Sequence, residues 1–147
     1  MNKKITLLWT VTIIVAMLAL ASIAADGGRT FTTTLTGAAE RPGPGDPDGS
    51  GTATITLNHG QGTVCWEINV SGIILPAIAA HIHEAPVTDP GPVVVPLSAP
   101  DANGFSSGCI SVDREEIKEI IQHPEDYYVN VHTTDLPAGA LRGQLSK

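Results

Sequence analysis

Strict alternation of threonine with aliphatic residues is the feature that most constrains how this chain can fold. Between residues 52 and 57 every second residue is threonine and the residues between them are aliphatic. A period of two is typical of a half-buried strand. Residues 63–70 alternate in the same way, with Val64, Trp66 and Ile68 on one face. The polar segment 58–62 separates the two runs and contains two glycines, so we predict a β-hairpin.

Other segments of the chain also have strand character. Apolar or threonine-rich runs predict strands at residues 31–35, within 73–83, and at 93–97, 127–132 and 140–145. Pro96 indicates an edge strand or a strand end, since proline cannot donate to a ladder. Residues 135–139 predict a turn. Residues 40–50 carry four charges, three prolines and three glycines, which predicts a solvated loop that does not pack.

One helix is expected, from Asp113 to His123. Asp113 can cap it with Glu116 at the reciprocal position, and Pro124 ends it. Its predicted apolar face consists of Ile117, Ile120 and Ile121. Short strands with a single helix predict an all-β fold, namely a Greek-key or immunoglobulin-like antiparallel β-sandwich with one short inserted helix.

The N-terminus has the pattern of a secretory signal. Lys3 and Lys4 precede an uncharged stretch, residues 5–25, and Ser22 and Ala24 are small residues at the positions that signal peptidase reads. We therefore predict a signal peptide at 1–24 and a single domain at 25–147 in a secreted, periplasmic or cell-envelope protein. Cleavage would leave no membrane span, although the stretch is long enough to serve as an uncleaved anchor.

The net charge narrows the classes of binding partner that we expect. The formal net charge is −7, and removal of Lys3 and Lys4 makes the remainder more acidic. Such a surface repels nucleic acid and anionic lipid, so neither is an expected partner.

Cys65 and Cys109 are the only two cysteines, and in an exported protein they are expected to form a disulfide. A thiolate ligand or nucleophile is the alternative.

Three of the five histidines lie in two strand-like segments. Alternation places His81 and His83 on one face of the first, and Tyr128, Asn130 and His132 on one face of the second. Three neutral imidazoles can hold zinc or copper with an open position, and Glu84 and Asn130 would then fix the ring tautomers. Such binding should weaken below about pH 6.5. The alternative is a hydrogen-bonded polar patch that ties strands together, with Tyr128 as one wall.

Several motifs together resemble the CHRD domain, which is named after chordin. They occur in family order between Thr30 and Leu145 and comprise Val70-Ser71-Gly72, residues 79–83, the GPVVV-x-L run at 91–97, the YYVNVHT run at 127–133 and P-x-G-x-LRGQL at 137–145. The resemblance implies an extracellular β module. In chordin such domains belong to an antagonist of bone morphogenetic proteins, but a single domain gives no reason to transfer growth-factor binding.

The segment from His81 to Glu84 is also similar to the His-x-His-Glu strand of copper/zinc superoxide dismutases. That similarity implies copper ligation by His81 and His83, a further ligand at His132, and a substrate-guiding role for Arg142. The chain departs from that family, because His59 lies in a hairpin turn and His123 at a helix end, which leaves no zinc set. In the alternative interpretation, Arg142 pairs with a carboxylate such as Glu84 or Asp135.

Three functions therefore compete at the level of sequence. The first is a secreted or envelope CHRD module that binds an unknown ligand or has a structural role, and the second is a zinc- or copper-binding protein. The third, a superoxide dismutase-like enzyme, is the least favoured. No phosphate-binding glycine loop, nucleophile elbow or Cys–His pair is recognisable, so the sequence favours a protein without enzymatic activity and identifies no catalytic residue.

Overall fold

The computed structural model describes residues 27–147, so the predicted signal peptide at 1–24 lies outside the described residues. The described residues form eight strands and one α-helix. In chain order these are β1 (Arg29–Thr36), β2 (Ser50–Asn58), β3 (Thr63–Ser71), β4 (Ala79–Glu84), β5 (Val93–Leu97), β6 (Phe105–Ser111), α1 (Arg114–Gln122), β7 (Tyr127–His132) and β8 (Leu141–Gln144).

All eight strands belong to one hydrogen-bonded sheet, in the order β5-β4-β7-β8-β1-β2-β3-β6. Each pair of neighbours is antiparallel. The two edges approach each other, since Ser106 Oγ of β6 donates a hydrogen bond of 2.6 Å to the Ser98 carbonyl just after β5. The sheet is therefore nearly closed, and the predicted all-β antiparallel fold with one short helix is confirmed.

The β2–β3 hairpin forms as the alternation predicts. Nine residue pairs are in register, from Ser50 opposite Ser71 to Asn58 opposite Thr63. The aliphatic residues of both strands are buried, and the alternating threonines and polar residues face outward. Burial of this aliphatic set stabilises the hairpin, because apolar area removed from water contributes about 25 cal/mol per Å².

Helix α1 is also confirmed, with one difference at its cap. The side chain of Asp113 accepts a 2.8 Å hydrogen bond from the backbone N–H of Glu115, and Ile117 and Ile120 are fully buried. Glu116 does not complete the reciprocal half of a capping box, since the Asp113 N–H has no hydrogen bond to its side chain, and its buried Oε1 has no hydrogen-bond partner. Within residues 27–147, no helix combines the length and the apolar character that crossing a membrane requires.

Strand β6 was not predicted from the sequence. Its residues, FSSGCIS, are mostly small and polar, so they lack the aliphatic alternation that identifies the other strands. The segment is nevertheless paired along seven positions with β3. Cys65 and Cys109 are directly opposite in this register and form a disulfide, so the predicted disulfide is confirmed.

The loop between β1 and β2 differs from the prediction of a solvated segment. Most of it is exposed, but Glu40 is only 4% exposed. The loop is fixed to the body of the protein by the backbone N–H of Asp46, which donates to the Ala140 carbonyl at 2.9 Å. The prediction failed because turn-forming composition describes the backbone and says nothing about where a single carboxylate is buried.

Candidate metal centre

Strands β4, β7 and β8 are neighbours, and their register brings the predicted site residues onto one face. His81 is opposite Asn130, His83 is opposite Tyr128, and Asn130 is opposite Arg142. The alternate residues of these strands, among them Ile82, Val129 and Val131, are fully buried in the aliphatic core. The three strands therefore have one apolar face and one polar face, and loops cover much of the polar face.

The three predicted histidines come together on this polar face. Their ring centroids are separated by 5.1 Å for His81–His132, 5.4 Å for His81–His83 and 5.8 Å for His83–His132. One ring nitrogen from each lies within 4.8 Å of those of the other two. His83 and His132 are each 8% exposed, whereas His81 is partly open to solvent. The cluster can therefore be reached from the side of His81.

Backbone carbonyls fix the tautomers of two of the rings. His83 Nδ1 lies 2.9 Å from the Gly91 carbonyl, and His132 Nδ1 lies 3.1 Å from the Pro137 carbonyl. A carbonyl only accepts, so in the neutral ring each Nδ1 carries the proton and each Nε2 is unprotonated. The buried Nε2 of His83 has no hydrogen-bond partner. Both Nε2 atoms are therefore prepared to bind a cation.

The shortest contact within the cluster joins His81 Nδ1 to His132 Nε2 at 3.2 Å. Because His132 Nε2 has only a lone pair, His81 Nδ1 must donate this hydrogen bond. Two nitrogens bound tetrahedrally to zinc at about 2.0 Å are about 3.3 Å apart. The separation of this pair thus matches one edge of a tetrahedral site.

The environment favours the neutral, metal-binding form of all three rings. Burial, followed by the proximity of His132 and then His83, lowers the pKa of His81 to about 4. Burial also lowers the pKa of His83 and of His132, although the hydrogen bonds to the Gly91 and Pro137 carbonyls oppose the shift. Neutral imidazole is the form that binds zinc or copper. The cluster therefore needs no deprotonation at neutral pH.

The two residues expected to fix the tautomers have other surroundings. Asn130 Nδ2 donates to the carboxylate of Glu40 and, at 3.0 Å, to the Leu141 carbonyl. Glu84 is exposed, and its charge acts on Glu116 and Tyr127. The ring tautomers are therefore fixed by the backbone carbonyls of Gly91 and Pro137 and not, as predicted, by Glu84 and Asn130. Asn130 thus connects β7 to β8 and to the loop between β1 and β2.

Tyr128 and Arg142 extend the cluster on the side of His83. The Tyr128 ring stacks on His83, with centroids 4.9 Å apart and an interplanar angle of 11°. The Arg142 guanidinium carbon lies 3.5 Å from the Tyr128 ring centroid. Tyr128 is therefore a wall of the patch, as predicted.

Arg142 is completely buried, so it has no access to solvent from which to guide a substrate. Its guanidinium donates to the backbone carbonyls of Pro86 and Asp89. The predicted pairing with Glu84 or Asp135 is wrong. The side chain of Asp135 instead accepts a hydrogen bond from Thr133 Oγ1.

Sequence reasoning missed Glu40. Burial raises the pKa of this carboxyl to about 7, against the opposing effects of the Asn130 hydrogen bond and of the Arg142 charge. The structure shows what accommodates it, since Gly139 has a φ of 148° and a Cβ there would meet the Glu40 carboxylate. Among the described residues, His59 and His123 do not join the histidine cluster.

Comparison with known proteins identifies one family for this chain. The family model of the CHRD domain matches residues 31–145. No curated protein and no solved structure matches this chain. The match extends from β1 to the residue after β8 and includes every strand that carries the histidine cluster. The chain therefore belongs to the CHRD domain family.

Proposed function

We propose that this CHRD domain binds one zinc or copper ion through His81, His83 and His132. The observation that carries the proposal is the buried Nε2 of His83, which has no hydrogen-bond partner and lies in a cluster whose ring nitrogens are within 4.8 Å of one another. A buried polar atom without a partner is costly. A bound cation would remove that cost, which a purely structural role for the ring leaves unexplained.

The ligand set supports a borderline metal over a hard one. Three neutral imidazoles suit zinc and copper, whereas magnesium and calcium prefer oxygen ligands. Both cysteines are held in the disulfide, so no thiolate contributes. With three protein ligands the ion would keep an open position for water or another small ligand, on the side where His81 is partly exposed.

Metal titration of the exported protein tests this proposal. Zn²⁺ and Cu²⁺ should each bind with a stoichiometry of one ion per chain in calorimetry or chelator competition. A variant with His81, His83 and His132 all replaced by alanine should not bind. The matched control replaces His59 and His123, which lie outside the cluster, and should bind as the parent does. Equal binding by both variants, or none by the parent, would overturn the proposal.

We also propose that the chain is exported and processed to residues 25–147. The basic start, the uncharged core and the Ser22-x-Ala24 site support export, as do the disulfide and the family of the domain. Intact-mass analysis of the exported protein should give an N-terminus near Ala25. Retention of residues 1–24 in a membrane fraction would instead establish an anchored form.

A role as an envelope binding module remains the second candidate. Two aliphatic side chains in the loop between β3 and β4, Ile74 and Ile78, are about half exposed, and exposed apolar surface is typical of contact sites. The superoxide dismutase-like hypothesis requires Arg142 to guide a substrate from solvent. Arg142 is instead buried under the loop between β4 and β5. The metal site is therefore proposed without an enzymatic activity.

A further inference from the structure

The loop between β4 and β5, residues 85–92, is held by side chains from strand β8. Arg142 donates 2.9 Å hydrogen bonds to the carbonyls of Asp89 and Pro86. Gln144 Nε2 donates to the Ala85 carbonyl at 2.8 Å. Three backbone acceptors of one loop are thus bound by two neighbouring side chains. This loop is therefore clamped to β8 at its first two residues and at Asp89.

The clamped loop is in turn connected to His83. The Gly91 carbonyl accepts the hydrogen bond from His83 Nδ1, and the Gly91 N–H donates to Tyr128 Oη at 3.1 Å. A Cβ at Gly91 would lie 1.9 Å from the Glu84 carbonyl oxygen, so the close approach of the loop to β4 requires glycine. The position of Gly91 therefore sets the tautomer and the direction of the His83 ring.

A second connection between Arg142 and His83 runs through stacked side chains. The Arg142 guanidinium lies over one face of Tyr128, and the Tyr128 ring stacks on His83. A cation over an aromatic face is attracted to the ring quadrupole, and this attraction is stronger when the pair is desolvated. The stack restrains the plane of the His83 ring, and the Gly91 carbonyl restrains its rotation. His132 has a carbonyl partner, that of Pro137, but no stacked ring.

We propose that Arg142 and Tyr128 are positioning residues, which hold His83 Nε2 at the metal site through the 85–92 loop and the stacked rings without binding the ion. The part of this inference that is tested by metal affinity rests on the proposed function. Its structural core, the orientation of His83 by Arg142 and Tyr128, can be tested in the metal-free protein. Outer-shell groups of this kind typically change metal affinity by roughly 10–100-fold.

The first test measures the tautomer of His83 in the metal-free protein by ¹⁵N-resolved NMR of the imidazoles. In the parent, His83 should be the Nδ1–H tautomer. Tyr128→Phe keeps the stacked ring but removes the acceptor of the Gly91 N–H, and Arg142→Met removes both loop hydrogen bonds and the cation. Each should shift the His83 nitrogen signals and leave those of His132 in place. Unchanged His83 signals in both variants would overturn the inference.

Arg29→Met is the matched control. Arg29 also lies over an aromatic ring, with its guanidinium carbon 5.1 Å from the Phe31 centroid. It is the first residue of β1, whereas Thr36, which pairs with Arg142, is the last residue of that strand. Its replacement should leave all three histidine signals unchanged. If Arg142→Met fails to fold, Tyr128→Phe decides the question, since it removes only one oxygen.

The second test measures Cu²⁺ affinity and the electron paramagnetic resonance spectrum of the bound ion. Arg142→Met should weaken binding about 10–100-fold and alter the spectrum. The same change should weaken binding further in a His81→Ala background but not in a His83→Ala background. Equal losses in both backgrounds would overturn the inference. If the parent binds no copper or zinc, the proposed function fails while the NMR result still decides the positioning of His83.

Discussion

His81 Nδ1 on β4 lies 3.2 Å from His132 Nε2 on β7, although 51 residues separate the two histidines in the chain. The pair is diagonal across the β4–β7 ladder, since His81 is directly opposite Asn130 and His132 is opposite Ala79. In the metal-free protein this contact is a hydrogen bond donated by His81. A bound ion would replace its proton, which would move to the other ring nitrogen of His81.

Replacement of His83 tests whether the nitrogen without a partner is a ligand. His83→Ala should lower zinc or copper affinity by more than the roughly 10–100-fold typical of outer-shell changes, since a direct ligand is lost. His59→Ala should have little effect, because His59 lies in the β2–β3 turn. Chelator competition measures both constants. Equal affinities of the two variants would show that His83 does not bind the ion.

Metal binding should persist below the pH at which an ordinary histidine site fails. A histidine pKa lowered by burial means that the folded protein keeps the ring neutral as the pH falls, and the pKa of His81 is lowered to about 4. The sequence-based expectation of loss near pH 6.5 therefore moves downward. Zinc affinity measured from pH 7 to pH 4 should fall mainly below pH 6. A midpoint at 6.5 or above would contradict the burial of the cluster.

The secondary structure was largely predictable because side-chain periodicity reports which face of a strand is buried. The hairpin of β2 and β3 and strand β7 follow directly from alternation or from an apolar run. Strand β6 has no such signal. Its strand structure depends on its partner β3 and on the Cys65–Cys109 disulfide, and both are long-range features that its own residues do not encode.

The site was predictable in its members but not in its geometry. Alternation of side chains along a strand places His81 and His83 on one face. The position of His132 beside them depends on β7 lying next to β4 in the sheet. The partners of the rings were not predictable, since the Gly91 and Pro137 carbonyls are backbone atoms that every residue has. Glu40 was missed for a related reason, because its burial comes from a loop of polar composition.

Loss of the disulfide should destabilise the domain without affecting the histidine cluster. Cys65 and Cys109 are 44 residues apart in the chain, and in the loop-entropy model closing a loop of this size contributes roughly 3–4 kcal/mol. A Cys65→Ser/Cys109→Ser variant should lose about this much free energy of unfolding in urea, with β6 losing most of its hydrogen-exchange protection. Thiol labelling of the denatured, non-reduced parent should find no free thiol.

Glu40 should make the stability of the domain fall as the pH rises. Burial raises the pKa of this carboxyl to about 7, so between its unfolded value and pH 7 the folded state binds more protons than the unfolded state. The stabilising effect of the protonated form is complete below pH 4.5 and is lost as the pH rises through about 7.

Glu40→Gln keeps an acceptor for Asn130 and removes the ionisation. Its free energy of unfolding should therefore vary less with pH, and at pH 8 it should exceed that of the parent by on the order of 2 kcal/mol. Glu125→Gln is the control, because Glu125 is exposed and its replacement should leave the pH dependence as it is. Urea denaturation at pH 5 and pH 8 measures the difference. A parent protein that is more stable at pH 8 than the Glu40→Gln variant would show that Glu40 is charged in the folded state and that Arg142 compensates for its burial.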